Sequence, residues 1–150
     1  MPRNFGRDAQ RDSRRETREA LKTAIEDVDW VYKRPVNAEL EMDCALTLGD
    51  APGQSVYIVQ WGYKGKVVDF ALTHRSEETV GKYDHIARYD CCHSEVHKHQ
   101  YTQEGEDQNR TVIAEIRSDG TAWDTVNESY EFCYDDMFDH WQEHLRRWSE

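Results

Sequence analysis

The sequence predicts an α+β fold: an antiparallel β-sheet of five or six strands, with an N-terminal helix and a C-terminal helix packed on the sheet. Three observations predict it. Segments that alternate apolar and polar residues follow one another through the middle of the chain with short, turn-rich links, which suits a meander and not the long crossovers of parallel strands. Apolar residues at helical spacing flank this region on both sides. A chain of 150 residues with 37% hydrophobic content supplies one core and no second domain.

Residues 1–12 read as a flexible basic arm, and 13–150 as the single α+β domain. Ser13 and Glu16 form a capping box, after which Ala20, Leu21, Ala24, Ile25 and Val28 recur at the spacing of one helix face. Arg11, Arg15, Arg18 and Lys22 share the opposite face. Two uses are open for it: contact with RNA or a protein partner, or a solvated surface stitched by pairs such as Arg15 with Glu19.

Residues 38–48 alternate, which places Leu40, Met42, Cys44, Leu46 and Leu48 on one face of a strand, and the turn residues 49–53 follow. Ser55 to Tyr63 and Lys66 to His74, joined at Lys64-Gly65, read as a hairpin rich in β-branched and aromatic residues. Tyr83 to Cys91, Val96 to Tyr101 and Arg110 to Ile116 give three further strands. At the C-terminus Tyr130, Tyr134, Met137, Phe138, Trp141, Leu145 and Trp148 fall three and four residues apart, an aromatic stripe expected to lie on the sheet. His140 and His144 stand one turn apart beside it, as exposed histidines or as a metal pair.

The formal net charge of −11 arises from 30 acidic against 19 basic residues, and arginine outnumbers lysine among the latter. Such a balance fits a protein soluble in concentrated salt, and equally an ordinary acidic one. No window is apolar enough to span a bilayer, and the N-terminus lacks the apolar core of a signal peptide, so a cytoplasmic protein is expected. In that compartment Cys44, Cys91, Cys92 and Cys133 should be thiols, and the absence of a Cys-x-x-Cys pair removes support for a zinc finger. There is no P-loop, dinucleotide fingerprint or nucleophile elbow, which disfavours the familiar enzyme classes.

The densest chemistry lies between Arg88 and His99, Arg-Tyr-Asp-Cys-Cys-His-Ser-Glu-Val-His-Lys-His. On a strand from Val96 to Tyr101, His97 and His99 project from one face and Lys98 from the other. Pairing with the preceding strand brings Arg88 or Asp90 beside them, with His93 in the connecting loop. One use is a divalent metal such as zinc, iron or manganese, with His97, His99, His93 and Asp90 as ligands. Another, without any cofactor, is phosphodiester chemistry on RNA, with His97 and His99 as base and acid, Arg88 over the phosphate and the hydroxyl of Tyr89 or Tyr101 positioning. A third is purely structural, the same groups satisfying turn donors and acceptors. Cys91 or Cys92 is a weaker candidate nucleophile, since strand alternation turns one of the two into the core.

At these residues the chain resembles the TumE-like toxins of toxin–antitoxin pairs and small-protein families near them. The resemblance rests on Arg88-Tyr89-Asp90, a short loop ending in His93, and His97-Lys98-His99. The family commonly carries prolines before its last histidines, where this chain has Cys91-Cys92 and a Ser94-Glu95-Val96 link. The resemblance implies a toxin-like role, action on RNA through Arg88, Asp90, His93, His97 and His99, and a small antitoxin protein as partner.

Overall fold

The computed structural model describes residues 11, 14, 15, 30–50, 53–77 and 85–150. Six strands, β1 (Glu39–Thr47), β2 (Gln54–Tyr63), β3 (Lys66–Ser76), β4 (Ala87–Cys92), β5 (Glu95–Tyr101) and β6 (Asp107–Glu115), precede one long helix, α1 (Ala122–Ser149). The strands pair in sequence order, each antiparallel to the next, as an unbroken meander. The α+β class and the C-terminal helix on an antiparallel sheet therefore stand as expected.

One part of that expectation is corrected: no N-terminal helix is seen among the described residues. Of the span expected to form it only Arg14 and Arg15 are described, both in helical conformation. The rest of that span, and the basic arm apart from Arg11, lie outside the described residues.

The core forms where one face of the sheet meets α1. Leu48, Val56, Ile58, Phe70, Leu72, Tyr89 and Val96 from the sheet pack on Val126, Cys133, Met137 and Trp141 from the helix. Alternation within β2 and β3 accounts for the sheet's share, because every second side chain turns toward the helix. On α1 the buried positions are Val126, Ser129, Cys133, Met137, Trp141, His144 and Trp148. Tyr130, Tyr134, Phe138 and Leu145 are only partly buried and flank that line. Tyr130, Tyr134 and Phe138 of the aromatic stripe thus lie on the shoulder of the helix, while Trp141 and Trp148 stand in the central row beside a cysteine and a histidine.

That placement corrects the reading of His144 as exposed: its side chain is 2% accessible. Its ring lies among those of His74 and Tyr89, with centroids 6.3 and 6.1 Å away. Burial lowers His144 to a pKa of about 3, with the Lys98 charge acting in the same direction, and lowers His74 to about 4. His140 does lie outward, 3.0 Å from an Asp136 carboxylate oxygen. The two helix histidines therefore face different surroundings and form no metal pair.

The remaining face of the sheet is not covered by α1, and there the candidate site lies. The β4–β5 connection is a two-residue turn in which His93 and Ser94 both take positive φ, +53° and +59°. Positive φ at both central residues matches the twist of a tight hairpin. The Tyr32 backbone N–H donates to Ser94 Oγ at 2.9 Å, and the Ile116 N–H donates to the Ser94 carbonyl at 2.8 Å, fixing the turn from both sides.

Candidate functional site

The register of the β4–β5 hairpin decides which side chains meet. Arg88 stands opposite His99 and Asp90 opposite His97. Since side chains alternate, these four residues share the face away from α1, while Tyr89 and Lys98 turn to the helix. There the Tyr89 hydroxyl and Lys98 Nζ both donate to Asp136 Oδ2. Tyr89 is consequently removed from the candidate site, and burial followed by the Asp136 hydrogen bond pushes its hydroxyl far above the usual tyrosine range. Tyr101 remains on the site face, its ring stacked on that of His99 at 5.8 Å and 11°.

Asp90, His97 and His99 converge, with ligand-type atoms all within 4.8 Å of one another. Asp90 Oδ1 lies 3.9 Å from His97 Nδ1 and 3.6 Å from His99 Nε2. That oxygen is buried and has no hydrogen-bond partner, whereas Asp90 Oδ2 accepts from Arg88 Nε at 2.8 Å. Arg88 Nη1 also reaches Thr73 Oγ1 at 3.3 Å on β3, the strand on the other side of β4. One carboxylate is thus held by an arginine on one oxygen and presents the other to two imidazoles.

Each imidazole has a carboxylate at its other nitrogen. His99 Nδ1 donates to Asp107 Oδ2 at 2.7 Å, and His97 Nε2 lies 3.3 Å from Glu95 Oε2. Carboxylates behind the ring fix the tautomer and orientation of metal-binding histidines. For His99 the hydrogen bond to Asp107 leaves Nε2 unprotonated toward Asp90 in the neutral ring. His97 differs, because Arg110 Nη2 donates to its Nε2 at 2.6 Å. Its proton is then on Nδ1, the nitrogen that faces Asp90.

β6 delivers two of these outer groups, Asp107 and Arg110. Its pairing with β5 shifts register between Val96 and His97 and again between Gln100 and Tyr101, so irregularities bracket the two histidines. Bulges re-aim side chains and are frequent beside functional sites. Here they set Arg110 opposite His99 and Asp107 opposite Tyr101.

His93 is not brought into the trio. It occupies the exposed turn, three residues beyond Asp90 and past the last pair of the hairpin, Cys92 with Glu95. Cys91 faces the core side, where burial raises its thiol far above the usual value, and Cys92 is exposed. Such a buried thiol is a poor nucleophile. Sequence reasoning missed Thr73, Glu95, Asp107 and Arg110. Of these only Glu95 carried a signal, two residues before His97 and hence on its face.

No helix among the described residues is long and apolar enough to cross a membrane. No curated protein and no solved structure matches the chain. Residues 62–150 match a family described as a domain of unknown function, DUF7718. That match spans β3 to α1 and every residue of the site just described. The chain belongs to the DUF7718 family.

Proposed function

We propose that Asp90, His97 and His99 bind one divalent first-row metal ion through a face of two imidazoles and one carboxylate. The observation that carries this reading is the buried, unpartnered Asp90 Oδ1 between His97 Nδ1 and His99 Nε2. A buried lone pair facing two nitrogens calls for a cation or a proton, and an unsatisfied charged acceptor is costly. Bond lengths of about 2.0–2.2 Å require the three groups to close by several tenths of an ångström, within the reach of side-chain rotation. Two histidines and a carboxylate leave further coordination positions open, which suits zinc, manganese or iron(II) and allows substrate to bind there.

The test is zinc or manganese titration of chelator-treated protein, with bound metal measured by elemental analysis. One equivalent is expected, lost in His99→Ala and in Asp90→Asn while circular dichroism retains the folded signal. Substoichiometric metal in the wild type, or full retention in both variants, refutes the centre.

A second reading is favoured by the Arg110 hydrogen bond on His97, which holds the metal-free tautomer. In it His99, unprotonated at Nε2, and His97, protonated at Nδ1, serve as base and acid on an RNA phosphate under Arg88, within the toxin-like role and antitoxin partnership that the sequence resemblance implies. Cleavage of RNA by the chelated wild type, abolished in His99→Ala, would support this reading over the metal centre.

A further inference from the structure

We infer that the site takes an oxyanion, a phosphate or carboxylate group, as the ligand of its metal, and that metal binding frees Arg110 to hold it. This rests on the metal reading of Asp90, His97 and His99. Two observations carry it, the charge balance around the trio and the hydrogen bonding of His97.

Arg88 and Arg110 flank the trio, while Asp90, Glu95 and Asp107 supply its carboxylates. With neutral imidazoles these groups leave one formal negative charge, and a divalent cation turns that into one positive charge. In a chain of net charge −11, a locally positive spot with open coordination positions and guanidinium groups on two sides selects a small anion. Arg88 is anchored through Nε on Asp90 and Nη1 on Thr73, so its fork is oriented over the carboxylate ligand. It is the fixed half of the clamp.

Arg110 is the movable half. In the present arrangement it donates to His97 Nε2, which must therefore be unprotonated. A metal on Nδ1 displaces the proton there, and the neutral ring carries it on Nε2 instead. No net proton is taken up or lost by the ring. A protonated Nε2 cannot accept from Arg110, but it can donate to Glu95 Oε2, already 3.3 Å away. The metal thereby exchanges Arg110 for Glu95 as the partner of His97. Arg110, on an exposed stretch of β6, then turns its guanidinium to an anion on the metal. His99 needs no such exchange, because its Nδ1 already donates to Asp107. The two ligands differ in how they are prepared, and only His97 couples metal to anion.

Calorimetric titration of inorganic phosphate into zinc-loaded and chelated full-length protein tests the proposal, with zinc stoichiometry measured separately in each sample. Phosphate should bind the zinc form, bind the chelated form at least ten-fold more weakly, and lose at least ten-fold affinity in zinc-loaded Arg110→Met that still holds one zinc. By linkage, phosphate should raise zinc affinity by the same factor. Zinc loading should also move the His97 Nε2 nitrogen-15 resonance from the unprotonated to the protonated position. Acetate replaces phosphate in a parallel arm, and the tighter of the two names the ligand class. Stoichiometric zinc with no zinc-dependent anion binding, or an unchanged His97 resonance, overturns this inference and leaves the metal centre standing. Failure to bind zinc at all refutes the metal centre itself, and the inference with it.

Discussion

His93 shows at the scale of one residue why proximity in sequence is a poor guide to a site. It is the histidine nearest to Asp90 along the chain, yet its φ of +53° places it at the tip of a tight turn, apart from the trio. A non-glycine residue in the left-handed region costs about 1 kcal/mol or more, and glycine takes that conformation without strain. His93→Gly is therefore expected to raise the urea midpoint by an amount equivalent to about 1 kcal/mol, with zinc stoichiometry unchanged. Lower stability or lost metal in this variant would mean that the imidazole has a role the turn geometry denies it. Ser94 is a different case at a similar φ, +59°, because its hydroxyl and carbonyl accept hydrogen bonds from Tyr32 and Ile116. Replacing it loses contacts as well as strain.

Among the elements, α1 depends on a close approach at the β1–β2 turn. Gly49 has φ +59°, and a Cβ there would lie 2.8 Å from the Trp141 ring. Both strain and overlap oppose a side chain, so Gly49→Ala should destabilise by about 2 kcal/mol, read as a lower urea midpoint at unchanged slope. Short apolar strands with turn signals between them made the meander legible, and the His97–Lys98–His99 alternation made the shared face legible. Pairing of Asp90 with His97 followed from a short hairpin, in which little freedom of register remains. The helix period was equally readable, and Met137, Trp141 and Trp148 of the stripe do lie on the buried line, but the rest of that line was not legible. Hydrophobicity placed the aromatics innermost, whereas the helix buries Cys133 and His144 along its central line and leaves Tyr134 and Phe138 at the flank. Asp107 and Arg110 could not be read at all. Their positions depend on two register shifts between β5 and β6, and no alternating pattern announces an extra residue.

For the molecule as a whole, acid should act through the face buried between the sheet and α1. His74 and His144 lie between the sheet and α1, with folded pKa values of about 4 and about 3. In the unfolded chain each returns to about 6.5. A basic group whose folded pKa is depressed is neutral in the fold and binds its proton more readily when unfolded. Its contribution is therefore fully present above pH 6.5, declines as pH falls below that, and is lost by about pH 4 for His74 and about pH 3 for His144. Each group gives a slope of about 1.4 kcal/mol per pH unit in that window, so the pair should remove about 2–4 kcal/mol between pH 6.5 and 5. Lys98, His74 and His140 lower His144 further, and Asp136 acts in the opposite direction. Asp136 in turn is raised by burial but held below the usual carboxylate range by hydrogen bonds from Tyr89 and Lys98, so its contribution is lost at lower pH still, in the same direction. Stability from urea unfolding at pH 7.5, 6.5, 5.5 and 4.5 should decline from the second point onward. His144→Leu should flatten that decline by about half, since one of the two titrating groups is then gone. A wild-type curve that is level from pH 6.5 to 5 would show that neither histidine is buried against α1 as the structure has it.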